Sequence, residues 1–335
     1  MLEIEEDSLS FTFEEVHPAA GLTVSFQRTL RIPDDGHSYP LPPGLGRFAL
    51  RHVDDYAARV PAEWVEHGGV MLPMYQSEAL WICFEMGWLR RYGRYPIAVQ
   101  VAAGKINAVT GKPWTNTLSV DPQNYMVAPD QPWLDGYCVE KGIIRQFVAM
   151  PLGAGYTAEE QITGHAEHGG LQIAVYPMKR EVYDRRFPPE MSVREELEER
   201  FQVARPAAPA MGLAPGGRMR QEVYDDPYGL DDWDQEHTTR CFVHIANSCT
   251  WKEITDEKPP HAPLSAKEYT QAGFPWFEYY GETAHALEGS ETLKGLKSVA
   301  EMGKEKRQTP LPENDALTPK NVIPLGKKKV HDGKW

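Results

Sequence analysis

The sequence predicts a mainly β protein with α+β character at its edges: an antiparallel β-sandwich carrying a few decorating helices. Three observations carry that expectation. Short apolar runs alternate with polar residues at a period of two, 28 Gly and 28 Pro punctuate them, and no strand–helix–strand rhythm recurs of the kind that builds a parallel sheet.

In order along the chain, "LTVSFQRTLRI" puts Leu22, Val24, Phe26, Leu30 and Ile32 on one face. Thr23, Ser25, Gln27, Thr29 and Arg31 take the other, and Arg28 is the exception on the apolar side. Residues 79–86, "ALWICFEM", are apolar on both faces, as in a central strand covered on both sides. "YPIAVQVAAGKINAV" alternates on either side of Gly104-Lys105, and "GYCVEKGIIRQFVAMP" breaks into two strands at Lys141-Gly142. "GLQIAVYP" and "TRCFVHIAN" extend the same pattern. Helical signals come late: Ser192 with Glu195 and Ser265 with Glu268 have capping-box spacing. Leu293, Leu296, Val299 and Met302 line one helical face, with Gly303 as a stop and Gly295 as a weak point.

These signals divide the chain into a β-sandwich core over residues 8–184, a helix over 185–202 and a flexible linker over 203–217. A second half over 218–305 completes the sheet and adds helices, and an extended tail over 306–335 includes Lys327, Lys328 and Lys329. The linker expectation rests on "VARPAAPAMGLAPGG", which has three prolines, almost no charge and no periodicity.

Lys and Arg total 35 against 48 Asp and Glu, a formal charge of −13 that repels a phosphate backbone or an anionic bilayer. Nucleic acid is therefore not an expected partner. No apolar run of eighteen residues exists and the first residues, "MLEIEEDS", are acidic, so neither membrane insertion nor a secretory signal is expected and the cytoplasm is the expected location. Four scattered cysteines without a CxxC pair read as reduced, mostly buried thiols.

Only one stretch looks like chemistry. In "GHAEHGG", His165, Glu167 and His168 have the side chains of a zinc site with a carboxylate ligand or base, and His244 could join them. Their spacing, however, falls short of the zincin and inverzincin patterns, and the deaminase-like His-x-Glu lacks its Pro-Cys-x-x-Cys partner. A polar turn between strands is the simpler account. The acidic run "DDPYGLDDWDQEH" offers Asp231, Asp232 and Asp234 as hard oxygen ligands, but its calcium-loop register puts Pro227 at a ligand position. A solvated loop held by Tyr228 and Trp233 explains it better. No phosphate cradle or nucleophile elbow is present, Cys138 has no cationic neighbour to stabilise a thiolate, and no cofactor is implied. Among nine tryptophans, Trp133, Trp233 and Trp276 sit beside prolines or acids and are the candidate interface anchors.

The phrases "SFQRTLRIPDDG", "YPLPPGLGRF", "GGVMLPMYQSEALW", "DGYCVEKGIIRQFVAMPLGAGYTAEEQITG", "GGLQIAVYP" and "LKSVAEMG" together resemble an uncharacterised family of bacterial and fungal proteins, over most of residues 23–305. That family has no established activity, so the resemblance transfers no functional residue. The expected function is non-catalytic: binding of another protein, or self-assembly into a homo-oligomer through weakly charged strand edges in "GLQIAVYP" and "IIRQFVAMP". The alternatives are a metal-dependent hydrolase centred on His165, Glu167 and His168, and a carbohydrate-binding module with tryptophan rings lined along one groove.

Overall fold

The computed structural model describes residues 1–86, 95–187, 210–279, 285–309 and 314–325. The protein is mostly antiparallel β-sheet with small decorating helices, as the strand periodicity predicts. Gly21–Thr29 pairs with Ser8–Thr12 on one side and Ala79–Glu85 on the other. Ala79–Glu85 meets Ile143–Pro151, which pairs along its length with Ala210–Arg220. The sheet then continues through Thr239–Asn247, Leu171–Pro177 and Ile97–Ala103. Among the described strands three pairings are parallel: Thr239–Asn247 with Val70–Met74, Ser38–Tyr39 with Ala210–Arg220, and Trp276–Tyr279 with Val322–Leu325.

One hydrophobic core takes side chains from both arms of this network, Val24, Phe26 and Ile82 from the first and Val99, Val101, Ile173 and Val243 from the second. The sheet therefore folds over on itself. At the two turn signals the chain does what the residues require. Gly104 and Lys105 both take left-handed φ, 56° and 55°, and join Ile97–Ala103 to Ile106–Asn107 in a two-residue hairpin. Gly142, at φ 71°, turns Gly136–Glu140 back onto Ile143–Pro151.

Several expectations need correction. Residues 210–217 are no linker: they belong to the longest strand, Ala210–Arg220, which is buried over most of its length. Its glycines serve close packing instead of flexibility, for a Cβ on Gly217 would stand 2.3 Å from the Pro33 carbonyl oxygen and one on Gly216 2.5 Å from Val148. Residues 203–209, most of the 185–202 helix with its Ser192 cap, and the lysine run lie outside the described residues. The single late helix is two, Glu291–Lys294 and Val299–Glu305, broken after Gly295 and restarted by a Ser298–Glu301 capping box; Gly303 lies inside the second. Within the expected tail, Val322–Leu325 forms a strand. Finally, both strands expected to offer free edges are interior, since Leu171–Pro177 lies between Ile97–Ala103 and Thr239–Asn247, and Ile143–Pro151 has neighbours on both sides. Arg28, the exception on the apolar face of Gly21–Thr29, is buried and donates from Nε and Nη2 to Glu78.

Among the described residues no helix is long and apolar enough to cross a membrane.

Candidate functional site

The "GHAEHGG" stretch is a loop wound around a buried carboxylate. Thr157 caps the helix Ala158–Thr163, and Glu159 in its first turn points inward, 2% exposed. One oxygen of Glu159 accepts from the amides of Glu167 (2.9 Å) and His168 (2.8 Å), and the other accepts from Gly169 (2.8 Å). The side chains of His165 and Glu167 are thereby left exposed at the surface. His168 lies 3.9 Å from Glu167 and edge-on to His67, whose ring continues into a stack with Phe242 and His244. His244 is buried between Trp64 and Phe242, and its Nε2 contacts the Gly68 carbonyl oxygen at 3.1 Å. Among the described residues, no three His, Cys, Asp or Glu side chains converge in a geometry that could hold a metal ion. The stretch is a polar turn whose backbone amides are gathered by Glu159.

The acidic run is also engaged within the fold. Asp232 pairs with Arg186 at 2.7 Å, Asp234 caps the amides of Glu236 and His237 while pairing with the His237 ring, and Asp231 stays exposed. Asp226 accepts from the indole of Trp233, the amides of Tyr228 and Gly229, and the Tyr125 hydroxyl. Trp233 and Trp276 are at most 1% exposed, so both are core residues and neither is an interface anchor. Trp133 alone of the three reaches the surface, half-buried.

Trp133 belongs to a pocket that the sequence does not announce. Trp133–Leu134 pairs with Ala79–Glu85 in a register that sets Trp133 opposite Cys83, which makes Trp81 its diagonal neighbour on the same face. The two indoles meet at 74° with centroids 6.1 Å apart, and Tyr279 packs behind Trp133 at 4.9 Å. Leu41 and Phe277 exchange a pair of backbone hydrogen bonds and close one side, with Pro42, Pro43, Gly44 and Leu325 around the rim. The pocket is open on one side, with a volume of about 270 Å³.

At its base lies Asp135. Two residues past Trp133 in the same strand direction, it points to the same face and lines the pocket with a side chain cut off from bulk water. Gln221 holds it from behind, Oε1 accepting the Asp135 amide at 3.0 Å and Nε2 donating to Oδ2 at 2.7 Å. Burial pushes the carboxyl up to about 7, against the pull of hydrogen bonds from Gln221 and Trp133. Trp81 adds a second polar group: its buried Nε1–H has no hydrogen-bond partner among the described residues. An apolar aromatic pocket with a few convergent polar atoms and a shifted carboxyl has the composition of a ligand site. Asp135 is the one ionisable side chain of its described lining.

A larger hollow of about 380 Å³ lies between Asp34, Tyr156, Lys304 and Asp315, but its acids are occupied. Asp34 accepts the Ala300 amide, Asp35 holds the Tyr39 hydroxyl and the His37 amide, and Asp315 pairs with Lys267. All four cysteines are unpaired, but only two are buried: Cys138 and Cys241 are thiols pushed up to about 12 by desolvation, whereas Cys83 is half-buried and Cys249 exposed.

Sequence reasoning missed Asp135, Trp81 and Phe277. The available signal was weak: an acid set between apolar Leu134 and the strand "GYCVE", which alternation alone does not mark as buried.

The chain matches no family model, and neither the curated proteins nor the solved structures contain a significant match to it.

Proposed function

We propose that this is a non-catalytic binding protein that takes a small, largely apolar ligand into the pocket formed by Trp81, Trp133 and Phe277 above Asp135. The single observation that carries the proposal is the buried Asp135 carboxyl lining an otherwise apolar, aromatic pocket. Gln221 and Trp133 hold that carboxyl with hydrogen bonds but do not compensate its charge, and a bound ligand is one way to do so. Self-assembly has less support than ligand binding, because the strands invoked for it are already paired on both sides. A carbohydrate groove has less support too, since the two indoles form a corner and not a line of coplanar rings. Unpaired thiols favour the cytoplasm as the place of action.

Ligand-observed NMR with a fragment set tests the proposal. Aromatic and alkylamine fragments should show saturable binding to the wild type that is lost in Trp133→Ala, with near-UV circular dichroism used to check that the variant is folded. Fragments that bind both proteins equally, or none at all, would sink it.

A further inference from the structure

We infer that the ligand of this pocket is a small organic cation, a quaternary or tertiary alkylammonium, seated in the Trp81–Trp133 corner with Asp135 as its counter-ion. The inference rests on the binding reading above and assigns its ligand class.

The geometry comes first. Two rings at 74° form a T, and a group placed in the angle of a T lies against the face of each ring. Ring faces carry negative quadrupole potential and attract cations, most strongly when water is excluded. Asp135 adds a full negative charge at the same spot once ionised, and the chain's −13 raises the local concentration of cations and lowers that of anions.

Counting hydrogen-bonding groups narrows the class further. The remaining lining is Leu41, Pro42, Pro43, Gly44, Phe277 and Leu325, so the one ionisable side chain on offer in this lining is the Asp135 carboxyl. A sugar would bring several hydroxyls with nowhere to bond. N-methyl groups require no hydrogen bonds. A purely apolar ligand would fit the walls but would bring no charge to meet the Asp135 carboxylate. The volume of about 270 Å³ suits a ligand of this small size.

A cation beside Asp135 favours the ionised carboxylate, so binding releases a proton when the pH lies below the carboxyl's value of about 7. Affinity therefore rises with pH and levels off above neutrality.

Isothermal titration of the full chain with choline chloride, and with its neutral isostere in which tert-butyl replaces trimethylammonium, tests the class. Choline should bind at least about tenfold tighter than the isostere, and should weaken several-fold from pH 8 to pH 6. Asp135→Asn should remove the pH dependence and reduce the preference to what the two ring faces supply. Trp133→Phe, a milder change, should weaken choline binding even if the Asn variant folds poorly. A peptide carrying trimethyl-lysine forms a second arm: binding in either arm supports the cation, and the tighter arm identifies whether it comes free or on a chain. An isostere that binds as well as choline would overturn the cation, as would silence from choline and peptide alike. The pocket itself would still stand if Trp133-sensitive fragments were found, and would fall with their absence.

Discussion

Asp135 and Gln221, 86 positions apart in the chain, grip each other through two hydrogen bonds, amide to amide oxygen at 3.0 Å and amide nitrogen to carboxylate at 2.7 Å. One end of each bond is fixed by strand geometry, Asp135 beside Trp133–Leu134 and Gln221 just past Ala210–Arg220. The carboxyl is therefore positioned but not neutralised.

That position makes stability depend on pH. In the unfolded chain Asp135 ionises near 3.8, and in the folded protein only near 7. The fold binds its proton more tightly, so the associated stability is fully present below about pH 4 and is lost as the pH rises through 7. The loss approaches roughly 4 kcal/mol by pH 8. Asp135→Asn cannot titrate and can still accept from Gln221. Urea unfolding at pH 5 and pH 8 should show a smaller alkaline loss in the variant than in the wild type; equal losses would place the carboxyl's ionisation elsewhere.

Glu159, and not the histidines after it, organises the "GHAEHGG" loop. Removing its carboxylate strands three amides at once, so Glu159→Ala should cost roughly 3 kcal/mol or more. Replacing both His165 and His168 by Ala should cost under about 1 kcal/mol, because neither side chain is buried. Thermal melts of the two variants decide the ranking, and elemental analysis of chelator-free protein should find well under one zinc per chain.

What the sequence made legible is what period two controls. The faces of Gly21–Thr29 and the turns at Gly104-Lys105 and Lys141-Gly142 follow from local alternation and from residues that tolerate positive φ. Ala210–Arg220 was hidden for a physical reason: its Pro and Gly content has the composition of a flexible connector, while the actual constraint is steric and comes from Pro33, Val148 and Thr157, all distant in sequence. The pocket was hidden likewise. Nothing in "QPWLDG" indicates that Trp133 will lie opposite Cys83, and that register brings Trp81 and Asp135 to one spot.

Two glycines should respond to alanine with opposite signs. A Cβ on Gly217 meets backbone 2.3 Å away, which cannot rotate aside, so Gly217→Ala should destabilise by about 2 kcal/mol. Gly303 sits inside the helix Val299–Glu305 with nothing nearer its Cβ position than the Tyr156 hydroxyl at 4.0 Å. Gly303→Ala should stabilise by roughly 0.5–1 kcal/mol. Chemical denaturation of both variants tests the pair; a harmless Gly217→Ala would return that segment to the status of a loose connector.

His244 sets the acid limit. Its ring is stacked between Trp64 and Phe242, with Nε2 toward the Gly68 carbonyl, so that bond requires the Nε2–H tautomer. Burial chiefly, with a small contribution from the charge of His67, pulls the imidazole down from 6.5 to about 3, although the Gly68 carbonyl pulls it back up. The unfolded chain therefore takes up a proton that the fold refuses. Stability is fully present above about pH 6.5 and falls as the pH drops toward 3, by roughly 2–3 kcal/mol at pH 4.5. This loss runs opposite to that of Asp135, and the two together place the most stable range between them. His244→Gln retains a donor for Gly68 and removes the titration, while His244→Phe retains the ring stack. Both variants should be less stable than the wild type at pH 7, each having given up one of the two interactions, yet should lose less stability between pH 7 and pH 4.5. If the variants lose as much as the wild type over that range, another group sets the acid limit and His244 is only a packing residue.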